Sequence, residues 1–437
     1  MAETIRTLAP NDIVITGYAR NNSLGGTKEA WRRQLAGETE ITLVTGEDLG
    51  LQNKAFRDIA APVGFRPSEY PVLSEQSVVK EHLSEYGQMV MAISDEAARM
   101  AGILDDNGRL ISGINPRKAG MAVGYGAGSS IYMSRAHNQA VERAGKDRPF
   151  KPSAVKSQFL EQAAARVEER MGLQGYALEA AEACATGVSI TSDAYYSLKD
   201  GRNEIVLVGA YEYLAEDPEL AFADFHSFNA LSKRRDDPSH ASRPFDKDRD
   251  GFVLSLAEAG SLVMETYEHA QRRGAKVLAV LNSANKGSDG FDATTMDKDR
   301  ASDLISETAG DLRPFVIFEH ATSTPLGDVA ETDATLRSSL GINRRKLRIY
   351  GGKGMRGHSL GATGMQTILD GIESLRTGWV PPTINLETLD PKIEELGLTM
   401  DNFVRTATKL DPQTIFVGAF GFGGKNAVAF LSKPPNF

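Results

Sequence analysis

Apolar runs of strand length, each closed by a glycine or a small-residue turn and followed by a segment with helical spacing, recur along the whole chain. Residues 12–17, 121–128, 203–210 and 251–265 supply them in the first part. Residues 276–283, 314–319, 347–352, 414–420 and 427–431 supply them in the second. Runs apolar at nearly every position belong to strands covered on both faces. Such strands alternating with helices, twice over, predict layered α/β halves with helices over the sheets. The length, 437 residues, suits two such units better than one core.

Helices are expected at residues 29–35, 81–101, 180–198, 301–310 and 358–377, where small or apolar side chains recur at three- and four-residue intervals. A polar, proline-bearing loop is expected at 231–249. Residues 1–20 carry no apolar core of signal-peptide length, and no stretch reaches the roughly 18 apolar residues of a membrane span. The expected location is therefore the cytoplasm. A net charge of -9 argues against a general nucleic-acid surface. One cysteine, Cys184, excludes an intramolecular disulfide or a thiolate cluster. Seven histidines without a His-x-x-x-His pair give no metal motif.

Three segments carry the chemistry. In Glu182-Ala-Cys-Ala-Thr-Gly187 a cysteine stands among small residues where a helix begins. A lone cysteine is more often packing than chemistry. Placed at a helix N-terminus, however, it faces free N–H groups and a positive dipole end, which would lower the thiol pKa. Glu319-His-Ala-Thr-Ser-Thr-Pro-Leu-Gly-Asp328 sets His320 at the end of an apolar strand, where open α/β sheets place ligands. Gly351-Gly-Lys-Gly-Met-Arg-Gly-His-Ser-Leu-Gly-Ala-Thr-Gly364 puts Lys353 and His358 just before a small-residue helix.

These segments resemble the signatures of the elongating β-ketoacyl-acyl-carrier-protein synthases, in the thiolase-like superfamily. Val14-Ile-Thr-Gly17, Ala230-Leu-Ser232, residues 242–253 and Phe420-Gly-Phe-Gly-Gly-Lys-Asn426 agree in the same order, so the likeness runs from about residue 11 to 431. The resemblance implies two similar thiolase-like α/β halves packed as an α-β-α-β-α sandwich. Residues 1–266 would carry Cys184, and residues 267–437 would carry His320, Lys353 and His358. It implies an acyltransferase that condenses a Cys184-bound acyl chain with malonyl-acyl carrier protein in fatty-acid or polyketide synthesis, with loss of carbon dioxide.

By the same resemblance, neutral His320 and His358 donate to the malonyl thioester oxygen and Lys353 orients the site. Thr322 and Thr324 hold the pantetheine arm. The backbone N–H groups of Cys184 and Phe422 form an oxyanion hole. Phe422 is a gate, Phe225 belongs to a second moving loop, and both rings meet the substrate arm. No cofactor is implied beyond the carrier's phosphopantetheine, and the partners are an acyl carrier protein and a second copy or a ketosynthase-like paralogue. The dimer interface is expected to include residues 129–144, and residues 135–151 to lie near it and the acyl pocket. The run Lys233-Arg-Arg235 is expected to meet the acidic carrier.

Some positions depart from the family pattern. Ala321 stands where glycine is usual, Asn229 where a base is common, and Lys425 where His or Thr is usual. The run Leu254-Ser-Leu-Ala-Glu-Ala-Gly260 carries an extra residue, so the glutamate that the family sets to support its lysine is either shifted to Glu258 or absent. These departures point to a divergent subgroup. The alternative reading is a chain-length-factor-like or acyl-binding subunit; Cys184 speaks against it.

Overall fold

The computed structural model describes residues 7–75, 83–127, 161–290 and 295–435. The expected interface stretch 129–144 lies outside these, as do residues 135–151. Strand β1 (Ile13–Asn22) is buried at every position, as expected where helices cover both faces of a sheet. With it pair β2 (Ala119–Tyr125), β3 (Leu178–Ala180), β4 (Ile205–Tyr213) and β5 (Ala257–Thr266), in the spatial order β1-β5-β4-β2-β3. The second set is β6 (Ala279–Ser288), β7 (Val316–Phe318), β8 (Arg348–Tyr350), β9 (Thr414–Gly421) and β10 (Lys425–Ser432), in the order β6-β10-β9-β7-β8.

The two orders are the same: first strand, fifth, fourth, second, third. Their directions match as well, antiparallel between the first, fifth and fourth strands and parallel between the fourth, second and third. The halves join where β1 pairs with β6, Ile13 opposite Leu281 and Ile15 opposite Ala279. A duplication with no trace in the residue pattern is plain in strand order.

Helices fill three layers. On the outside of the first half lies α1 (Glu85–Met100), its first turn capped by Ser84 Oγ accepting from Gly87 N at 3.1 Å. Between the sheets run α2 (Thr186–Lys199) and α6 (Thr363–Thr377). Outside β6 and β10 lies α4 (Lys298–Ala309), with α5 (Gly327–Arg337) packed against it. The remaining helix used below is α3 (Pro218–Ser227). The central pair cross closely because Gly187 has no side chain: a Cβ there would lie 2.4 Å from the backbone nitrogen of Met365. This contact draws together the starts of α2 and α6, which follow the equivalent strands β3 and β8. Cys184 precedes one helix and His358 the other. The fold thus brings both motifs to one point.

Candidate active site

Cys184 lies in a tight turn, Ala183–Ala185, that runs straight into α2. Thr186 organises the turn: its hydroxyl donates to Ala183 O at 2.7 Å and accepts from Glu182 N at 2.7 Å. Ala183 is held at φ 47°, a left-handed conformation that costs a non-glycine residue about 1 kcal/mol or more. Other positive-φ residues near the centre are Ala321 and Ser323, after His320, Leu360, after His358, and Asn229 on the cavity wall. Strain of this kind persists where the surroundings impose it, and here it clusters on the turns that present the three candidate groups.

His320 follows β7. Glu331 of α5 receives its backbone N–H at 2.5 Å and that of Ala321 at 2.8 Å, fixing the strand end. Lys353 Nζ donates to the His320 carbonyl and lies 3.4 Å from His320 Nδ1. An ammonium can only donate, so this contact places the ring proton on Nε2. That nitrogen has no hydrogen-bond partner among the described residues. His358 is strapped to the first half by its own backbone, N to Val253 O at 2.7 Å and O from Ser255 N at 3.0 Å. The two imidazoles stand nearly perpendicular, 84° apart, with centroids separated by 5.2 Å.

One ligand atom each from Cys184, His320 and His358 lies within 4.8 Å of the others, and all three residues are buried. Burial and the Lys353 charge hold His320 well below the usual histidine range; burial, Lys353 and Arg356 do the same for His358. Both rings are therefore neutral donors. The positive surroundings that keep them so disfavour a divalent cation and favour developing negative charge. Beside them a cavity of ≈ 520 Å³ is lined by all three residues, Thr322, Thr324 and Phe422, among others. The hydroxyls of Thr322 and Thr324 are 2.9 Å apart. A second cavity, ≈ 550 Å³ around His240, Arg348 and Arg405, has none of these groups.

The comparisons with known proteins agree with this geometry. Residues 10–270 match the profile of the β-ketoacyl synthase N-terminal domain and residues 279–387 that of the C-terminal domain. The chain is 33% identical over 430 residues to 3-oxoacyl-[acyl-carrier-protein] synthase 2 of Vibrio harveyi, covering 96% of this chain and 98% of that protein. It is 31% identical to the mitochondrial 3-oxoacyl-[acyl-carrier-protein] synthase of Arabidopsis thaliana, over 95% of this chain and 92% of that one. A β-ketoacyl synthase from Burkholderia phymatum superposes with a TM-score of 0.82 at 26% identity, over 97% and 99% of the two chains.

The chain belongs to the β-ketoacyl synthase family.

As a β-ketoacyl synthase it is a condensing acyltransferase of thiolase-like fold, and four expectations change at its site. First, the thiol of Cys184 is not lowered. Burial pushes it up to about 12 against the pull of Lys353 and of the Phe422 and Cys184 N–H groups. The helix start is where the sequence places it, but the cover supplied by the other half outweighs it. Second, Glu258 does not support Lys353. It accepts from Ser359 Oγ at 2.5 Å and faces Arg356. Arg356 in turn pairs with Asp370 at 2.8 Å, and Asp370 also pairs with Arg20 at 2.5 Å.

Third, the carboxylates whose charges favour protonated Lys353 are Glu331, eleven residues beyond His320 and outside every motif that the sequence displays, and then Asp328 at the end of the second motif. Burial and Arg356 bring Lys353 down while Glu331 opposes them; burial brings Glu331 up. Fourth, Phe225 does not line the cavity. Its ring packs 5.5 Å from Phe252, whose ring is 5.0 Å from His358; Phe228 stands at the cavity instead. The motif at 242–253 acts structurally, since Arg249 holds the carbonyls of Thr324 and Pro325, each at 3.0 Å.

Proposed function

We propose that the site performs decarboxylative condensation with each group in a separate role. Cys184 attacks the acyl thioester of the carrier; the new S–C bond forms as the carrier sulfur leaves with the thiol proton, relayed by a neutral imidazole. The N–H groups of Cys184 and Phe422 hold the oxyanion, consistent with both favouring the ionised thiol. Malonyl-carrier then enters along Thr322 and Thr324. The bond to its carboxylate breaks, carbon dioxide departs, and the electron pair becomes an enolate stabilised by donors on His320 and His358. The enolate carbon attacks the acyl carbonyl and Cys184 leaves as thiolate. The observation that carries this reading is the unpartnered Nε2 of buried His320, with Lys353 Nζ beside the ring's other nitrogen.

The carrier is proposed to dock beside residues 229–235. One solved neighbour is a type II polyketide acyl-carrier protein in complex with its ketosynthase. At 23% identity that likeness speaks for the fold, and the partner is inferred here from charge. Of the basic run, Arg235 is committed to Asp58 at 3.2 Å, next to His226, and Arg234 donates to Asp248 O at 3.2 Å. Lys233 is exposed and Arg234 half-buried. Lys233→Glu with Arg234→Glu should raise KM for carrier-bound substrate several-fold, more at low salt, and leave a pantetheine thioester unchanged. Equal effects on both substrates would assign the run to structure.

A dimer is proposed through β3. Among the described residues nothing pairs with its outer edge, and an open edge invites another strand. It ends four residues before Cys184. Light scattering at micromolar concentration should give twice the chain mass, or a one-to-one complex with a paralogue; a monomer in both settings would remove the proposal. Among the described residues no helix is long and apolar enough to cross a membrane, which accords with a proposed cytoplasmic location.

A further inference from the structure

We infer that Phe228 is a second gate residue, the fixed jaw against which Phe422 closes the cavity mouth. The inference rests on the reading of Phe422 as a gate. Both rings line the cavity that contains Cys184. Their centroids are 5.8 Å apart with planes 30° from parallel, an arrangement of attractive aromatic pairs. Phe228 is nevertheless 59% exposed and Phe422 38%. Neither is core; they cover an opening.

The two are mounted differently. Phe228 ends α3, and the chain turns back immediately: Asn229 takes φ 54°, its N–H bonds His226 O at 2.9 Å, and Ala230 N bonds Phe225 O at 3.2 Å. This left-handed closure fixes the helix end. Three side chains of the same helix anchor it further: Phe222 in the core, Phe225 on Phe252, and His226 on Asp58. Phe422 by contrast sits at the tip of the β9–β10 hairpin, followed by Gly423 at φ 78° and Gly424 at φ 64°. Glycines on that side permit a swing that α3 does not.

A coupling follows. Gly421, next to Phe422, packs so near that a Cβ there would lie 2.9 Å from Cys184 N, and the Phe422 N–H favours the ionised Cys184 thiol. Ring contact with Phe228 therefore holds an oxyanion donor in place and covers the thiol in the same movement. Phe228 acts through Phe422 and is a positioning residue.

Cys184 is the sole cysteine, so iodoacetamide alkylation followed by intact mass reads access to it without background. Phe228→Ala should speed alkylation about three- to tenfold, the range of one aromatic pair. Phe422→Ala should speed it at least as much, the double variant should match Phe422→Ala alone, and Phe228→Tyr should keep the wild-type rate. Both exchanges are at exposed side chains, and Phe228→Tyr controls for folding. If Phe422→Ala speeds alkylation but Phe228→Ala does not, or if the two effects multiply, the fixed jaw is refuted and the gate stands. If Phe422→Ala changes nothing, the gate reading fails and takes this inference with it.

Discussion

Cys184→Ala is expected to abolish acyl loading outright, with no labelled protein after incubation with an acyl thioester, while the chain stays folded. The substitution removes one buried sulfur from a turn already built of alanines. Its packing cost is about 1 kcal/mol, small beside the ~5–15 kcal/mol that keeps a domain folded. No other thiol exists to take over. The thiol is protonated at rest, so loading should accelerate as pH rises towards the thiol's raised range. Cys184→Ser should also fail, since a hydroxyl is the weaker nucleophile and far harder to ionise than a thiol. Unchanged loading of Cys184→Ala by mass spectrometry would place the nucleophile elsewhere.

The second large effect divides the two half-reactions. His320→Ala and His358→Ala should each slow malonyl decarboxylation and condensation by roughly a hundred- to a thousandfold, the cost of one donor to a developing oxyanion. Acyl transfer to Cys184 should survive in part, because its oxyanion donors are backbone N–H groups. His358→Gln or His358→Asn should retain more than His358→Ala, since an amide still donates. His320→Ala also strips Lys353 of its ring partner, leaving the ammonium on the carbonyl of residue 320 and near Glu331. Lys353→Ala should therefore slow the same step. Stopped-flow loading with labelled carbon dioxide release separates the steps, and wild-type decarboxylation by both histidine variants would end the mechanism.

What could be read ahead of the structure follows from what each residue depends on. β1, β4 and β9 are visible because each carries an unbroken apolar run, although β1 ends in buried Arg20, Asn21 and Asn22 and β4 carries buried Glu212. Cys184 stands out because alanines and a glycine flank it on a turn where a helix begins. His320 was placed by the apolar run before it. Glu331 was hidden for the opposite reason: α5 turns Asp328 and Glu331 inward, so its buried face is carboxylate and shows no apolar period. β3 is three residues long, too short for any alternation to register. The direction of the Cys184 shift depends on cover contributed by residues far along the chain. The same is true of Glu258, which the family resemblance offers to Lys353 and packing gives to Ser359. Ala321 is tolerated at φ 47° because the facing Gly351 has no Cβ; one there would lie 2.7 Å from that of Ala321.

The most direct test of the central claim is a single incubation of the wild-type protein with acyl-carrier and malonyl-carrier, followed by intact mass of the carrier. Condensation predicts a β-ketoacyl-carrier whose chain is two carbons longer, formed with stoichiometric release of carbon dioxide. Acylated Cys184 that only hydrolyses or returns its acyl group, with malonyl-carrier left intact, would contradict the assignment.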